Sequence, residues 1–326
     1  MKIKIIALIM FLLPLVLEAQ TISDAKDAYN KGAKVFSTDK DSALIYFEQS
    51  LGICKTVGTP ADTLRMKIEG FIPSIYYDLA NASYRDKKYD EALVKCQKAI
   101  DIAESYNDEK NKLRGTKLLT SINIALGISY YKNNDLDNAV KYWEVAVKMD
   151  PKLEKVWYNI AQAYLKKGDA EKMQAAMDKT FELAKAENDT VTIKNGTRQC
   201  RDFYYKQAVN ASNKNESNAA ITSINKSLTF DIKNADAYYL LASIYLKQAK
   251  SKEVLDVCNT ALKYETSPTA TVRFYFQMGY AYVALKQNAE ACSVFKKVVD
   301  SKDKDFAPKA VDILKKNPML CEPAAK

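Results

Sequence analysis

The side chains able to do chemistry are sparse in this sequence, and their types exclude more than they propose. The 326 residues contain no histidine, so the group that titrates near neutral pH and is the commonest metal ligand is missing. Asp300, Asp303 and Asp305 alternate with lysines. Neither the glycine nor the closing glutamate of a calcium loop accompanies them, so they read as a solvated turn. The six cysteines, Cys54, Cys96, Cys200, Cys258, Cys292 and Cys321, form no Cys-x-x-Cys pair, which leaves zinc-ribbon and thioredoxin-like chemistry without a basis. No nucleophile elbow or phosphate loop is present. The acid pairs Asp90-Glu91 and Asp108-Glu109 fall on polar helix faces. The expectation is a non-enzyme with no catalytic residue, no metal site and no cofactor.

The formal charge is +9. Lysines are interleaved with acids along the chain without a like-charge block, so nucleic acid is not the expected partner. Residues 1–19 read as an export signal. Lys2 and Lys4 make a basic start, Ile5 to Leu17 is apolar, and Ala19 is small where cleavage would fall. The apolar run suits a signal core and is short for a bilayer span. Removing this leader takes away Lys2, Lys4 and Glu18 and leaves +8. The chain is therefore expected in the periplasm or cell envelope, or secreted, with no integral span after cleavage.

Gly and Pro number only 9 and 8, which disfavours a turn-rich β architecture. The clearest unit runs over 120–153. Leu126, Gly127 and Tyr130 share one helical stripe; Ala139, Trp143 and Ala146 share another. The polar stretch Lys132-Asn133-Asn134-Asp135 separates them, and Asp150-Pro151 ends the unit. The same 34-residue period recurs from 154 and between 201 and 235. Shorter matches fall near 24–57, 73–106 and 272–305. Residues 59–72 read as an early start of the helix entering the second unit. Residues 107–119 read as polar and then helical. Residues 188–200, with Asn195-Gly196, read as a loop or hinge. Met173, Met177 and Thr180 stand where smaller and aromatic residues are usual, which predicts either loose packing there or a bend in the stack. Residues 306–326 supply a capping helix and tail.

Leu126-Gly127, Tyr130, Ala139, Trp143, Ala146 and Pro151 match the tetratricopeptide signature in type and spacing, with Asn123 where tryptophan is frequent. The sequence thus resembles that family. The resemblance implies an all-α, right-handed α-solenoid of about seven helix pairs plus a C-terminal capping helix. It divides the chain into a leader (1–19), an N-terminal array (20–187) with repeats near 24–57, 73–106, 120–153 and 154–187, a loop or hinge (188–200), and a C-terminal array (201–305) with repeats near 201–234, 235–268 and 272–305. In such arrays the first helices line a concave groove that takes a protein or peptide segment. Projecting that register places Tyr77, Tyr158, Tyr205, Tyr239 and Phe276 in the groove, with Asn81, Lys155, Asn159, Gln162 and Lys206 beside them. Rings would cover apolar side chains, amides would bond a peptide backbone, and lysines would meet acids. The family's carboxylate clamp is incomplete: Ala125 stands where the second asparagine is needed, and Ile124 and Ile128 replace its opening pair in the next frame.

The function expected is a non-catalytic protein–protein interaction scaffold. The alternative is an accessory glycan-binding protein that stacks the same rings on sugars. Cys96 and Cys258 occupy the position of Trp143 in their own repeats and read as buried free thiols. Cys292 and Cys321 are the pair expected to join, because the tail can fold back onto the last repeat.

Overall fold

The computed structural model describes residues 21–322, so the leader expected over 1–19 lies outside the described residues. The described residues fall into two compact units divided after Ala163. The first holds α1 (Ile22–Val35), α2 (Lys40–Val57), α3 (Asp62–Arg85), α4 (Tyr89–Ser105), α5 (Glu109–Lys132), α6 (Leu136–Met149) and most of α7 (Glu154–Lys167). The second holds the end of α7, then α8 (Ala170–Glu187), α9 (Thr190–Asn213), α10 (Ser217–Phe230), α11 (Ala235–Lys247), α12 (Ser251–Tyr264), α13 (Pro268–Ala284), α14 (Asn288–Asp300) and α15 (Ala307–Lys316). Short 3-10 turns cover Thr59–Ala61 and Pro318–Cys321. Over the described residues the fold is an all-α solenoid of seven helix pairs closed by α15.

The turn inside every pair after α1/α2 shows why the period persists. Lys87, Asn134, Gly168, Asn215, Ala249 and Lys286 each adopt a left-handed backbone, with φ between 55° and 75°. They occupy one repeat position, 34 residues apart where repeats are contiguous. Each is followed by an amide that reaches back to close the helix end. Asp135 N–H donates to the Tyr130 carbonyl at 2.9 Å, and Lys250 N–H to that of Tyr245 at 2.9 Å. This is the Schellman closure, which satisfies carbonyls that the helix leaves without donors. Side chains then start the next helices: Asp135 accepts from Asn138 N–H at 3.2 Å, and Asp169 from Lys172 N–H at 3.0 Å.

Packing within a pair depends on one small residue facing one large one. Gly127 lies directly under Trp143, and a Cβ there would collide with the indole ring. Trp143 is 1% exposed, and its Nε1–H donates to the Ile124 carbonyl at 3.2 Å. Tyrosines three residues into the repeats bury their rings and reach the preceding second helix. Tyr76 O–H donates to Glu48 at 2.9 Å, and Tyr204 O–H to Gln174 at 3.0 Å.

The segments between repeats are helix, and all three have one length. Helices α3, α5 and α9 each contain 24 residues. Each begins eleven residues ahead of its repeat: 62 against 73, 109 against 120, 190 against 201. Eleven residues is close to three whole α-helical turns, so the added turns keep the repeat's own face pointing the same way. The early start over 59–72 and the helical end of 107–119 agree with this. The loop over 188–200 does not. Only Asn188, left-handed at φ 57°, and Asp189 stay outside helix. Asp189 caps α9 by accepting from the Val191 and Thr192 amides at 3.0 Å. Gly196, a loop signal in sequence, is the helical residue that lets α9 approach Phe181 and Met177 of α8. The loose packing expected at Met173, Met177 and Thr180 is likewise absent. All three are fully buried, because an unbranched thioether follows an irregular gap and the Thr180 hydroxyl donates to its own helix at Ala176, 3.0 Å away.

Cys292 and Cys321 form a disulfide with Cα atoms 5.2 Å apart. It holds the Pro318–Cys321 turn against α14 and seats Leu320, 6% exposed, in the core with Val272, Phe295 and Ala310. Cys54, Cys96, Cys200 and Cys258 are free and buried. Asp303 accepts from the Asp305 and Phe306 amides at 2.9 Å, so the aspartate run is a turn that leads into α15.

Candidate functional site

The face of interest is made by successive first helices. In the first unit α3 and α5 lie side by side; in the second α9, α11 and α13 do. The projected residues divide between the units. Tyr77 and Asn81 are half-buried on α3, Lys155 is exposed on α7, and Tyr158, Asn159 and Gln162 are half-buried beside it. Tyr205 is half-buried and Lys206 exposed on α9, while Tyr239 on α11 and Phe276 on α13 are half-buried.

Two of these rings, and Tyr29 on α1, are covered by a cation from the next first helix. Arg114 of α5 stacks over Tyr77 at 4.1 Å. Lys67 of α3 lies over Tyr29 at 4.9 Å, and Arg273 of α13 lies over Tyr239 at 5.2 Å. The ring quadrupole attracts the cation, and the aliphatic stem covers apolar surface on the way. At Tyr77 and Tyr239 the first-helix face therefore presents a cation mounted on an aromatic where the sequence projected a bare ring. Phe276 is occupied differently. It lies 5.2 Å from Phe306 and from Tyr280, and 6.0 Å from Phe295, centroid to centroid. It is the seat of the capping helix, and Tyr280, 45% exposed, is the open aromatic of α13.

The second unit adds a polar network between first helices. Arg273 donates to Asp236 of α11 at 2.7 Å. Gln277, 4% exposed, donates to the Ser243 hydroxyl at 2.6 Å and to the Tyr239 carbonyl at 3.2 Å. Burial holds the Tyr205 phenol above its usual range; Asp236 pushes the same way and Arg273 opposes it. Phenol, carboxylate and guanidinium thus converge from α9, α11 and α13.

In the first unit the corresponding network is anchored differently. Asp108, the N-cap of α5, accepts from the Asn111 side chain at 2.6 Å and its amide at 3.0 Å. Asn111 in turn accepts from Arg114 at 3.1 Å. Reading the sequence by repeats missed Lys67 and Arg114, since both lie in the eleven-residue extensions. Adding eleven to 114 gives 125, a groove position, and that phase relation was the available signal.

The described residues include no group of three or more His, Cys, Asp or Glu side chains placed to hold a metal. No described helix is long and apolar enough to cross a membrane. The buried thiols are far from reactive, with burial alone pushing Cys96 and Cys258 up to about 12.

Comparison with known proteins agrees with the repeat register. A family described as "TPR repeat" matches residues 127–168, and "Tetratricopeptide repeat" matches 154–187 and 272–305. No curated protein matches the sequence. Among solved structures, the chain is similar to the MamA protein at 19% identity and a TM-score of 0.32, covering 64% of this chain and 98% of that one. It is similar to the TPR2AB domain of yeast Sti1, solved as a pHSP90 complex, at 16% identity and a TM-score of 0.33, covering 92% and 97%. A tetratricopeptide repeat protein from Parabacteroides merdae gives 14% identity and a TM-score of 0.29, covering 92% and 99%. The match over 154–187 spans helix pair α7/α8 and that over 272–305 falls on α13/α14, so tetratricopeptide repeats lie within residues 127–187 and 272–305 of this chain.

Proposed function

We propose that the chain is a non-catalytic scaffold that binds a segment of another protein on the face made by its first helices. The observation that carries this reading is the repeated placement of cations on half-buried tyrosines along that face, Lys67 on Tyr29, Arg114 on Tyr77 and Arg273 on Tyr239. Each such pair offers donors already oriented before a partner arrives, which lowers the ordering cost of association. The basic-apolar leader supports action after export, in the periplasm or cell envelope. The Cys292–Cys321 disulfide suits an oxidising compartment.

The test is site-specific photo-crosslinking in the native envelope. A photoreactive residue at Asn81, Lys155 or Lys206 reports on the first-helix face; one at Lys141 on α6 or Lys252 on α12 reports on exposed second helices. Protein adducts are expected from the first set alone. Equal adducts from both sets, or none from the first, would remove the groove from the account. Adducts that vanish on treatment with glycosidase would transfer the function to glycan binding.

A further inference from the structure

We propose that Arg114 is a carboxylate-recognition residue, and that it gives the first unit a preference for an acidic peptide segment. The inference deepens the scaffold reading and rests on it. Arg114 lies in the extension that precedes the 34-residue repeat, so no repeat position supplies it.

Three features set this arginine apart. First, it is fixed from two sides. Its guanidinium stacks on Tyr77 at 4.1 Å and donates to Asn111 at 3.1 Å. Asn111 is 8% exposed and is held by Asp108 at 2.6 Å. A stacked, tethered guanidinium loses little freedom when it takes a ligand, and its planar fork matches a carboxylate.

Second, Arg114 is half-buried and has no carboxylate within ion-pairing distance among the described residues. The contrast with Arg273 is direct. Both arginines cover the tyrosine of the preceding repeat, but Asp236 neutralises Arg273 at 2.7 Å. Nearby acids are otherwise engaged. Asp108 serves Asn111 and the helix start, and Glu104 pairs with Lys112 at 2.9 Å. Glu109 remains exposed on the first turn of α5.

Third, the charge is not isolated. Lys110, Arg114 and Lys117 stand at i, i+4 and i+7 and so share one helix face. Both lysines are exposed. Towards the C-terminal end of α5 this face becomes apolar at Ile124, Ala125 and Ile128, the last 38% exposed. A segment with clustered carboxylates next to an aliphatic residue complements that sequence of surfaces, with Asn81 on α3 available to its backbone.

The experiment uses the purified full chain and an array of dodecapeptides synthesised as pairs, one member with four glutamates and the other with glutamines in their place. The strongest pairs are then measured by fluorescence anisotropy at low and at physiological salt. The glutamate member is expected to bind at least about tenfold tighter. Arg114→Gln should reduce that preference to about twofold, and Arg114→Lys should keep it only at low salt. Circular dichroism on both variants separates loss of the site from loss of the fold.

Equal binding of both members, or a preference that survives Arg114→Gln, would overturn the proposal. If groove adducts persist in the crosslinking experiment, the scaffold reading stands without it. Failure of every peptide to bind would overturn acidic-segment recognition, and an absence of groove adducts would remove the scaffold reading as well. Displacement of the acidic peptides by poly(A) RNA at lower concentration would reassign the face to nucleic acid.

Discussion

Trp143 closes over Gly127 so tightly that the backbone of α5 is the floor of the indole's pocket, and the indole N–H bonds the Ile124 carbonyl of the same helix at 3.2 Å. A methyl group at 127 has no place to go, because the obstacle is a fully buried ring held by a hydrogen bond. Gly127→Ala is expected to cost about 3 kcal/mol, at the upper end for overpacking. Gly70 is the control. It lies exposed in the interior of α3, with open space for 4 Å around the point a Cβ would occupy. Gly70→Ala should gain about 0.5–1 kcal/mol from helix propensity. Urea midpoints of the two variants, measured side by side, check both signs.

The six left-handed turn residues make a second prediction. Ala249 holds φ 55° despite its Cβ, whereas Gly168 at φ 75° has none to place. Ala249→Gly should stabilise by about 1 kcal/mol and Gly168→Ala should destabilise by a similar amount. The opposite response of one substitution pair at equivalent turns would be read from thermal midpoints.

The disulfide should contribute through the chain it closes. Cys292 and Cys321 are 29 residues apart, and the loop-entropy relation gives about 3.5 kcal/mol for that separation. Replacing both by serine should lower the unfolding free energy by about this amount and expose the segment after Lys316 to proteolysis first. Limited digestion followed by mass spectrometry would show whether cleavage begins there.

The buried thiols predict an alkaline limit. Folded Cys96 and Cys258 are pushed up to about 12 by burial, while cysteine in the unfolded chain titrates near 9.0. Their folded pKa is raised, so the stabilisation they give is fully present below pH 9 and is lost as pH rises towards 12. The C96A/C258A variant should start less stable but show a shallower fall across that window. Chemical denaturation at pH values stepped from about 8 to about 11 measures the two slopes.

Much of the fold is legible from residue types. The spacing of Gly127, Ala139 and Trp143 within one 34-residue unit identifies paired helices, because a small residue must face a large one wherever two helices cross closely. The seven pairs and the closing helix follow from the repeat pattern, whereas the joining of Cys292 and Cys321, 29 residues apart, depends on the tail folding back onto the last repeat. The candidate site was legible only by analogy, and its geometry was not. Tyr77, Tyr205 and Tyr239 do fall on the first-helix face, but a helix register says nothing about what lies over a ring. That cover comes from the neighbouring helix.

What the sequence alone determined is therefore the period, the pairing and which residues face inward, since these depend on spacing along one helix. The tertiary structure decided the rest. It turned 190–200 from a loop into three turns of helix, because Gly196 is small where α9 meets α8. It placed Arg114 on Tyr77, 37 residues apart, because the eleven added residues keep the repeat's phase and bring the extension of α5 alongside α3. Contacts between helices depend on how the pairs stack, and no single helix carries that information.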